Sequence, residues 1–297
     1  MLPRLASVLR IPRSPATPLR PSPRRFRWLR LPWVSLSIVT VLVVCAAFAP
    51  WLAPHDPRQI DMNVVKMAPW EDMRYPLGTD ILGRDMLSRL IYGARTSIFM
   101  ALVALGSGAL TGTLLGLIAG YRGGWVDAVI MRATDASLGF PTILVAMVAF
   151  VLLGAGMEVI VLAVGLNVWD RFSRMVRGDV LYVKQLDYVT MARIGGVSAP
   201  MIVWRHIFPN VVNTFLVITS LQVGQVILLE ASLSFLGLGL APGAPAWGIM
   251  VAEGRAVILD VWWLSLLPGI AITTVVLALN FFGDWMRDSL DPKLRRV

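Results

Sequence analysis

Residues Asp187–Asn210 read DYVTMARIGGVSAPMIVWRHIFPN, and the character of this stretch decides how the rest of the chain is read. It is the longest polar-studded interval in the second half of an otherwise apolar chain, with apolar segments of membrane-spanning length on both sides. Asp187 to Ile194 holds helix-compatible residues. Gly195-Gly196 is a stop signal, because glycine reaches the left-handed conformation that closes a helix. Ser198 is placed to cap a second helix, with Pro200 in its first turn. Pro209 is expected to end that helix just before the next apolar run. The reading is a compact knob between two spans, made of a short helix, a glycine break and another short helix. Arg193, Arg205 and His206 give it positive or titratable charge.

Outward from the knob, the 297 residues are 57% hydrophobic and only 15% charged. The mean hydropathy is +0.70. This balance predicts an all-α polytopic membrane protein and excludes an ordinary soluble domain. A net charge of +9 suggests nucleic acid at first sight, but residues 1–33 hold eight Arg and no acid, leaving the rest at +1. An arginine- and proline-rich lead before an apolar run sets topology or lies beside anionic membrane lipid, and nucleic acid is not an expected partner. Cys45 is the only cysteine and sits inside an apolar run, so neither an internal disulfide nor a thiol catalyst is expected.

Taken in order, residues 1–33 are a basic cytoplasmic tail and 34–53 the first span. Its lead-in is too long for a cleaved signal peptide. Residues 54–94 form an outer segment, since Asp56 to Arg89 holds six acids and five bases and no positive-inside bias. Within it Asp80 is expected to cap an amphipathic interfacial helix with Leu82, Met86 and Leu90 on one face. Asp80, Gly83, Arg84 and Asp85 read as charge-paired structure, because Arg84 and Arg89 intervene where a metal site would need only acids.

Residues 95–285 form a five-span core. In Ile98–Ala119, Gly108, Gly112 and Gly116 recur four apart, a spacing for close helix packing, and Gly106 accompanies them. Tyr121–Arg132 is expected as a loop. The third span covers most of Phe140–Leu153, and the fourth begins at Val159 and emerges at Trp169-Asp170-Arg171. Residues 170–210 carry six bases and three acids, which places the knob on the cytoplasmic side. The fifth span is Val211–Gly237, with Glu230 in its outer third. A charge in a span is a functional candidate by default, and Glu230 is equally placed to cap or pair near the surface. Ala241–Asp260 is an outer loop. The sixth span, Val261–Phe282, contains Pro268, which leaves a carbonyl unpaired and permits a hinge. Glu230 and Pro268 are therefore the candidates for a pathway or gating role. Residues 286–297 form a cytoplasmic tail, so six spans leave both termini inside.

The knob resembles the loop of membrane subunits of ATP-binding-cassette importers. That loop has the form Glu-Ala-Ala, three residues, Gly, nine residues, then Ile-x-Leu-Pro. Here Thr190-Met191-Ala192, Gly196 and His206-Ile207-Phe208-Pro209 take those places, with Gly, Pro and Ala192 matching and Thr190, Met191, His206 and Phe208 departing. YPLGTDILGRDMLSRLIYGARTS (Tyr75–Ser97), ILLEASLSFLGLG (Ile227–Gly239) and GDWMRDSLDPKLR (Gly283–Arg295) are similar to the dipeptide, oligopeptide and nickel branch. The resemblance implies a type I importer permease fold in a bacterial inner membrane. It also implies a second homologous permease, two ATPase subunits and an extracytoplasmic solute-binding protein as partners. Asp187, Thr190, Met191, Ala192, Arg193, Gly196, Arg205, His206 and Pro209 would then form the coupling contact with the ATPase.

The residues themselves offer no catalytic constellation. There is no phosphate-binding glycine loop ending in Lys-Ser/Thr, no HExxH and no GxSxG. The two histidines are His55 and His206; His206 lies in the knob, with no evident place for a nucleophile or catalytic carboxylate beside it. No cofactor is expected on this chain, and ATP–Mg would serve the partner subunits. A self-contained secondary transporter or channel is the alternative. It calls for inverted repeats and carboxylates near the midplane, whereas no clear repeat is present and Glu230 is off-centre.

Overall fold

The computed structural model describes residues 32–154 and 156–290, and the backbone alone at Leu290. Most of the expected basic tail, Ala155 of the turn after the third span, and residues 291–297 lie outside the described residues.

The described chain is helical, apart from a polar segment before the second span and an isolated bridge between Thr79 and Asp85. Helix α1 (Trp33–Ala47) stops short of Pro50, whose ring lacks a donor and collides with the preceding turn; α2 (Ala49–Leu52) resumes with that proline in its first turn. The long elements that follow are α3 (Met86–Arg122), α4 (Gly124–Gly139), α5 (Thr142–Leu153) and α6 (Met157–Val183). The knob helices are α7 (Asp187–Ile194) and α8 (Ala199–Ile202), and α9 (Phe208–Phe235), α10 (Trp247–Arg255) and α11 (Trp263–Leu290) complete the fold.

Among the described residues three helical stretches are long and apolar enough to cross a membrane, namely Met86–Arg122, Ala199–Phe235 and Trp263–Ser289. The α4–α5 pair, bent by 91°, passes the same test only when taken together as one broken span. The remaining two of the six expected segments correspond to α1, which is short, and α6, whose second half is charged.

Helices α3 and α6 form the central contact. A Cβ at Gly108 would lie 2.7 Å from the Gly165 carbonyl oxygen, and one at Gly116 2.6 Å from that of Ser173. Gly112 and Gly120 meet α6 in the same way, so the row extends one step beyond the spacing read from sequence. Gly106 faces open space and takes no part. Contact this close gains dispersion energy between backbones, which lipid cannot supply selectively.

Several sequence expectations are corrected. The helix expected from Asp80 starts at Met86 and runs straight into the second span as α3. Its cap is Asp85, which accepts from Leu87 N and Ser88 N. Asp80 is instead buried and accepts from the Arg84 guanidinium at 2.6 Å and from Arg89. Both arginines also reach Glu253 on α10, at 3.1 and 2.8 Å. This is the charge pairing expected of the cluster, with a fourth member from a distant part of the chain. It fastens the segment before α3 to the far end of the bundle, where Trp263 Nε1 also donates to the Thr79 carbonyl at 3.1 Å.

The expected loop at Tyr121–Arg132 is mostly helix α4, because a glycine pair turns the chain within two residues (Gly123 φ 67°, Gly124 φ 57°). The acids of α4 pair across to α6: Asp127 accepts from Arg177 at 2.6 Å and Asp135 pairs with Arg174. Helix α6 does not end at Trp169 but continues to Val183, burying Asp170, Phe172, Val176 and Val180. The outer loop after α9 contains α10, wedged between α9 and α11, with Gly248 against the Ala231 carbonyl. Helix α11 passes through Pro268 and on to Leu290, past residue 286 where the tail was expected to begin.

Candidate functional site: the knob between α6 and α9

The knob rests on its own small core. Val189 of α7, Ile202 of α8, and Ile207 and Val211 pack with Leu117 of α3 and Val176, Val180 and Val183 of α6. All but Leu117 and Val183 are 0 or 1% exposed. The knob is therefore seated on the ends of α3 and α6 rather than hanging from a flexible loop. Only three residues, Lys184–Leu186, separate α6 from α7, and Lys184 Nζ donates to the Gly120 carbonyl at 2.7 Å, capping α3.

Helix α7 closes as the glycine pair predicted. Gly196 takes φ +76°, its N–H donates to the Arg193 carbonyl at 3.1 Å, and the Val197 N–H donates to the Ala192 carbonyl at 3.1 Å. This is the paired arrangement that satisfies the last carbonyls of a helix. Ser198 stands at the start of α8 but makes no side-chain cap bond.

Pro209 does not end the second limb, and this is the largest departure from the sequence reading. Ala199 to Phe235 is helical throughout, passing through a π-turn at Val203–Ile207. The Phe208 N–H bonds back to the Val203 carbonyl, one residue further than in an α-helix. Proline has no N–H and its ring crowds the carbonyl four residues earlier, here Arg205; the wider turn accommodates both problems without breaking the helix. Asn210 holds the junction by donating to the His206 carbonyl at 2.7 Å and to the Tyr188 hydroxyl at 3.0 Å.

The structure brings Asp187, Thr190, Met191, Ala192, Arg193, Gly196, Arg205, His206 and Pro209 together on this knob. Asp187, Thr190, Met191, Arg193, Gly196, Arg205 and Pro209 are exposed; Ala192 packs on the small core, and His206 is half-buried, its ring 6.2 Å from that of Tyr188. Glu230 and Pro268 are elsewhere. Glu230 is about 33 Å along the axis of α9 from Phe208, buried, with Ser234 Oγ donating at 2.8 Å and Ser97 Oγ at 3.3 Å. Pro268 is buried within the first turns of α11.

Attention to charge missed the apolar surface of the knob. Tyr188, Met191, Ile194, Met201 and Trp204 are exposed by 44, 69, 77, 48 and 67%. Trp204 is stacked on Phe208, with ring centroids 4.8 Å apart. The recurrence of Tyr188, Met191 and Ile194 every three residues was legible as one helix face. Together they make the exposed apolar face of a well-seated element, the kind of surface that contacts protein or membrane. Among the described residues no group of His, Cys, Asp or Glu has the makings of a metal site.

The fold so defined is that of a multi-helix membrane protein with a compact, well-seated knob between α6 and α9. Residues 112–296 match the family described as binding-protein-dependent transport system inner membrane component, and 17–69 match the N-terminal TM domain of oligopeptide transport permease C. The chain belongs to this inner membrane permease family. It is 39% identical over 284 residues to a glutathione transport system permease protein of Pectobacterium atrosepticum, covering 95% of this chain and 94% of that one. It is 38% identical to a di/tripeptide transport system permease protein of Pseudomonas aeruginosa, covering 88% of each. A probable D,D-dipeptide transport system permease protein of Escherichia coli is 36% identical, covering 91% of this chain and 93% of that one. An inward-facing structure of the MetNI methionine ABC transporter superposes with a TM-score of 0.57 at 15% identity, over 69% of this chain and 98% of the other, and shares the fold. The fold is that of a type I ABC importer permease.

Proposed function

We propose that this permease imports peptide-class solutes and receives its driving force through the knob at 187–209. The observation that carries the coupling assignment is the firmly seated knob, whose outward face presents Met191, Ile194 and Trp204. Peptide chemistry is supported by the glutathione, di/tripeptide and D,D-dipeptide permeases to which the chain is similar.

In this reading the knob is cytoplasmic, both termini are cytoplasmic, and the chain faces a second homologous permease across the pathway. Two ATPase subunits bind the knobs of the pair, and an extracytoplasmic solute-binding protein delivers the solute. ATP–Mg is bound and hydrolysed by the ATPase subunits; this chain is non-catalytic and binds no cofactor. Closure of the ATPase pair displaces the knob as a body. The turn Lys184–Leu186 passes that motion to α6, and the continuous helix from Ala199 passes it to α9. The pathway between the permeases opens outward as these two helices move.

The test is uptake of a labelled dipeptide into proteoliposomes holding the complete complex. Uptake that needs both enclosed ATP and external binding protein is expected. Uptake that proceeds without ATP, driven by an ion gradient, would replace this reading with a secondary transporter.

A further inference from the structure

Arg171 lies near the middle of α6 (Met157–Val183), exposed on its surface. Its Nη1 donates to Gln222 Oε1 at 3.1 Å and also to Gln225 Oε1, both near the middle of α9. The neighbouring acid is committed elsewhere. Asp170 is buried, with Oδ2 accepting from Ser137 Oγ at 3.0 Å and Oδ1 accepting from the Arg171 backbone N–H at 2.6 Å. Arg174 and Arg177, further along α6, pair with Asp135 and Asp127, whereas no ion pair to Arg171 is found among the described residues.

The exposed Arg171 guanidinium needs water or protein around it rather than hydrocarbon. Two amides fix its direction without neutralising it. Gln222 is buried and holds Arg171 from within, whereas Gln225 is exposed; with its oxygen turned toward Arg171 its NH₂ group remains as a further donor, so an approaching ligand meets a donor and positive charge. That set suits a carboxylate, which a guanidinium grips with two parallel hydrogen bonds. The two halves of the arrangement also stand on α6 and α9, the helices that flank the knob.

We propose that Arg171, oriented by Gln222 and Gln225, is a recognition station for the carboxylate of the solute within the translocation pathway. Movement of α6 against α9 alters the reach of Arg171 to the two amides, so the station is remade in each cycle and the carboxylate is held only transiently. The proposal rests on the reading that the pathway lies between two permeases, and it does not depend on which carboxylate-bearing solute is carried.

The test uses the full assembled complex with Cys45→Ser, which removes the only native cysteine, and Leu228→Cys as a reporter. Leu228 is 51% exposed and lies one turn beyond Gln225. Negatively and positively charged thiosulfonate reagents are compared, each corrected for its rate with a free thiol in solution. The anionic reagent is expected to react roughly ten-fold faster, as a focused positive potential in a cleft produces. Arg171→Gln should abolish that preference, and Arg171→Lys should keep it. An unreactive Leu228→Cys thiol, or a preference that survives Arg171→Gln, would overturn the proposal. Labelling requires no transported solute, so a failure of dipeptide uptake would count against the peptide reading alone.

Discussion

Gly112 on α3 approaches Trp169 on α6 so closely that a Cβ at Gly112 would lie 2.1 Å from the Trp169 carbonyl oxygen. The obstructing atom is backbone, so no rotamer change can relieve it. Gly112→Val should therefore cost about 3 kcal/mol as an overpacked contact. Gly106→Ala on the same helix, where nothing lies within 4 Å, should be neutral or stabilising by about 0.5–1 kcal/mol. Thermal unfolding of the purified chain in detergent separates the two.

The glycine row was legible because helix contact leaves a local signature, small residues at a fixed spacing. The close of α7 was legible for a similar reason, since Gly195-Gly196 encodes it alone. What escaped was whatever depends on a distant partner. Asp127 and Asp135 carry no local signal of their partners, Arg177 and Arg174, which stand about forty to fifty residues further along the chain on α6. Asp80 looked like a cap because its true partners include Arg89, nine residues on, and its cluster reaches Glu253. Pro209 looked like a terminus because a π-turn that absorbs a proline has no sequence signal of its own.

The Asp80 cluster gives a second expectation. Asp80 is 0% exposed and Arg89 1%, so Asp80→Asn leaves the buried Arg84 and Arg89 to share Glu253 as counter-ion. The expected loss is about 3–5 kcal/mol. Limited proteolysis should cut the segment between α2 and α3 in the variant well before the native chain.

Trp204 is 67% exposed and stacks on Phe208 at the outer rim of the knob. Trp204→Ala should weaken ATPase association by about 2 kcal/mol, or ~30-fold, as loss of an aromatic anchor does. The chain's own melting temperature should hardly move. Titration of detergent-solubilised permease with purified ATPase subunits reads the difference.

Thr190 is exposed on α7 where the family loop carries Glu. Thr190→Glu should leave assembly and ATP-driven uptake within about two-fold, since exposed substitutions usually stay within ±0.5 kcal/mol. Loss of assembly in this variant would mean that the ATPase cleft is fitted to threonine. Pull-down and uptake on the same preparation decide it.

The most direct test of the knob as the coupling element is co-purification of the tagged chain with the products of its neighbouring reading frames, native and Gly196→Val. Gly196 holds φ +76° with nothing within 4 Å of a Cβ, so valine there has room but costs about 1–2 kcal/mol of backbone strain at the close of α7. The native chain should retain stoichiometric ATPase subunits, and the variant should insert in the membrane yet lose them. A native chain that purifies alone and moves solute without ATP, or a variant that keeps its ATPase and full uptake, would contradict the account.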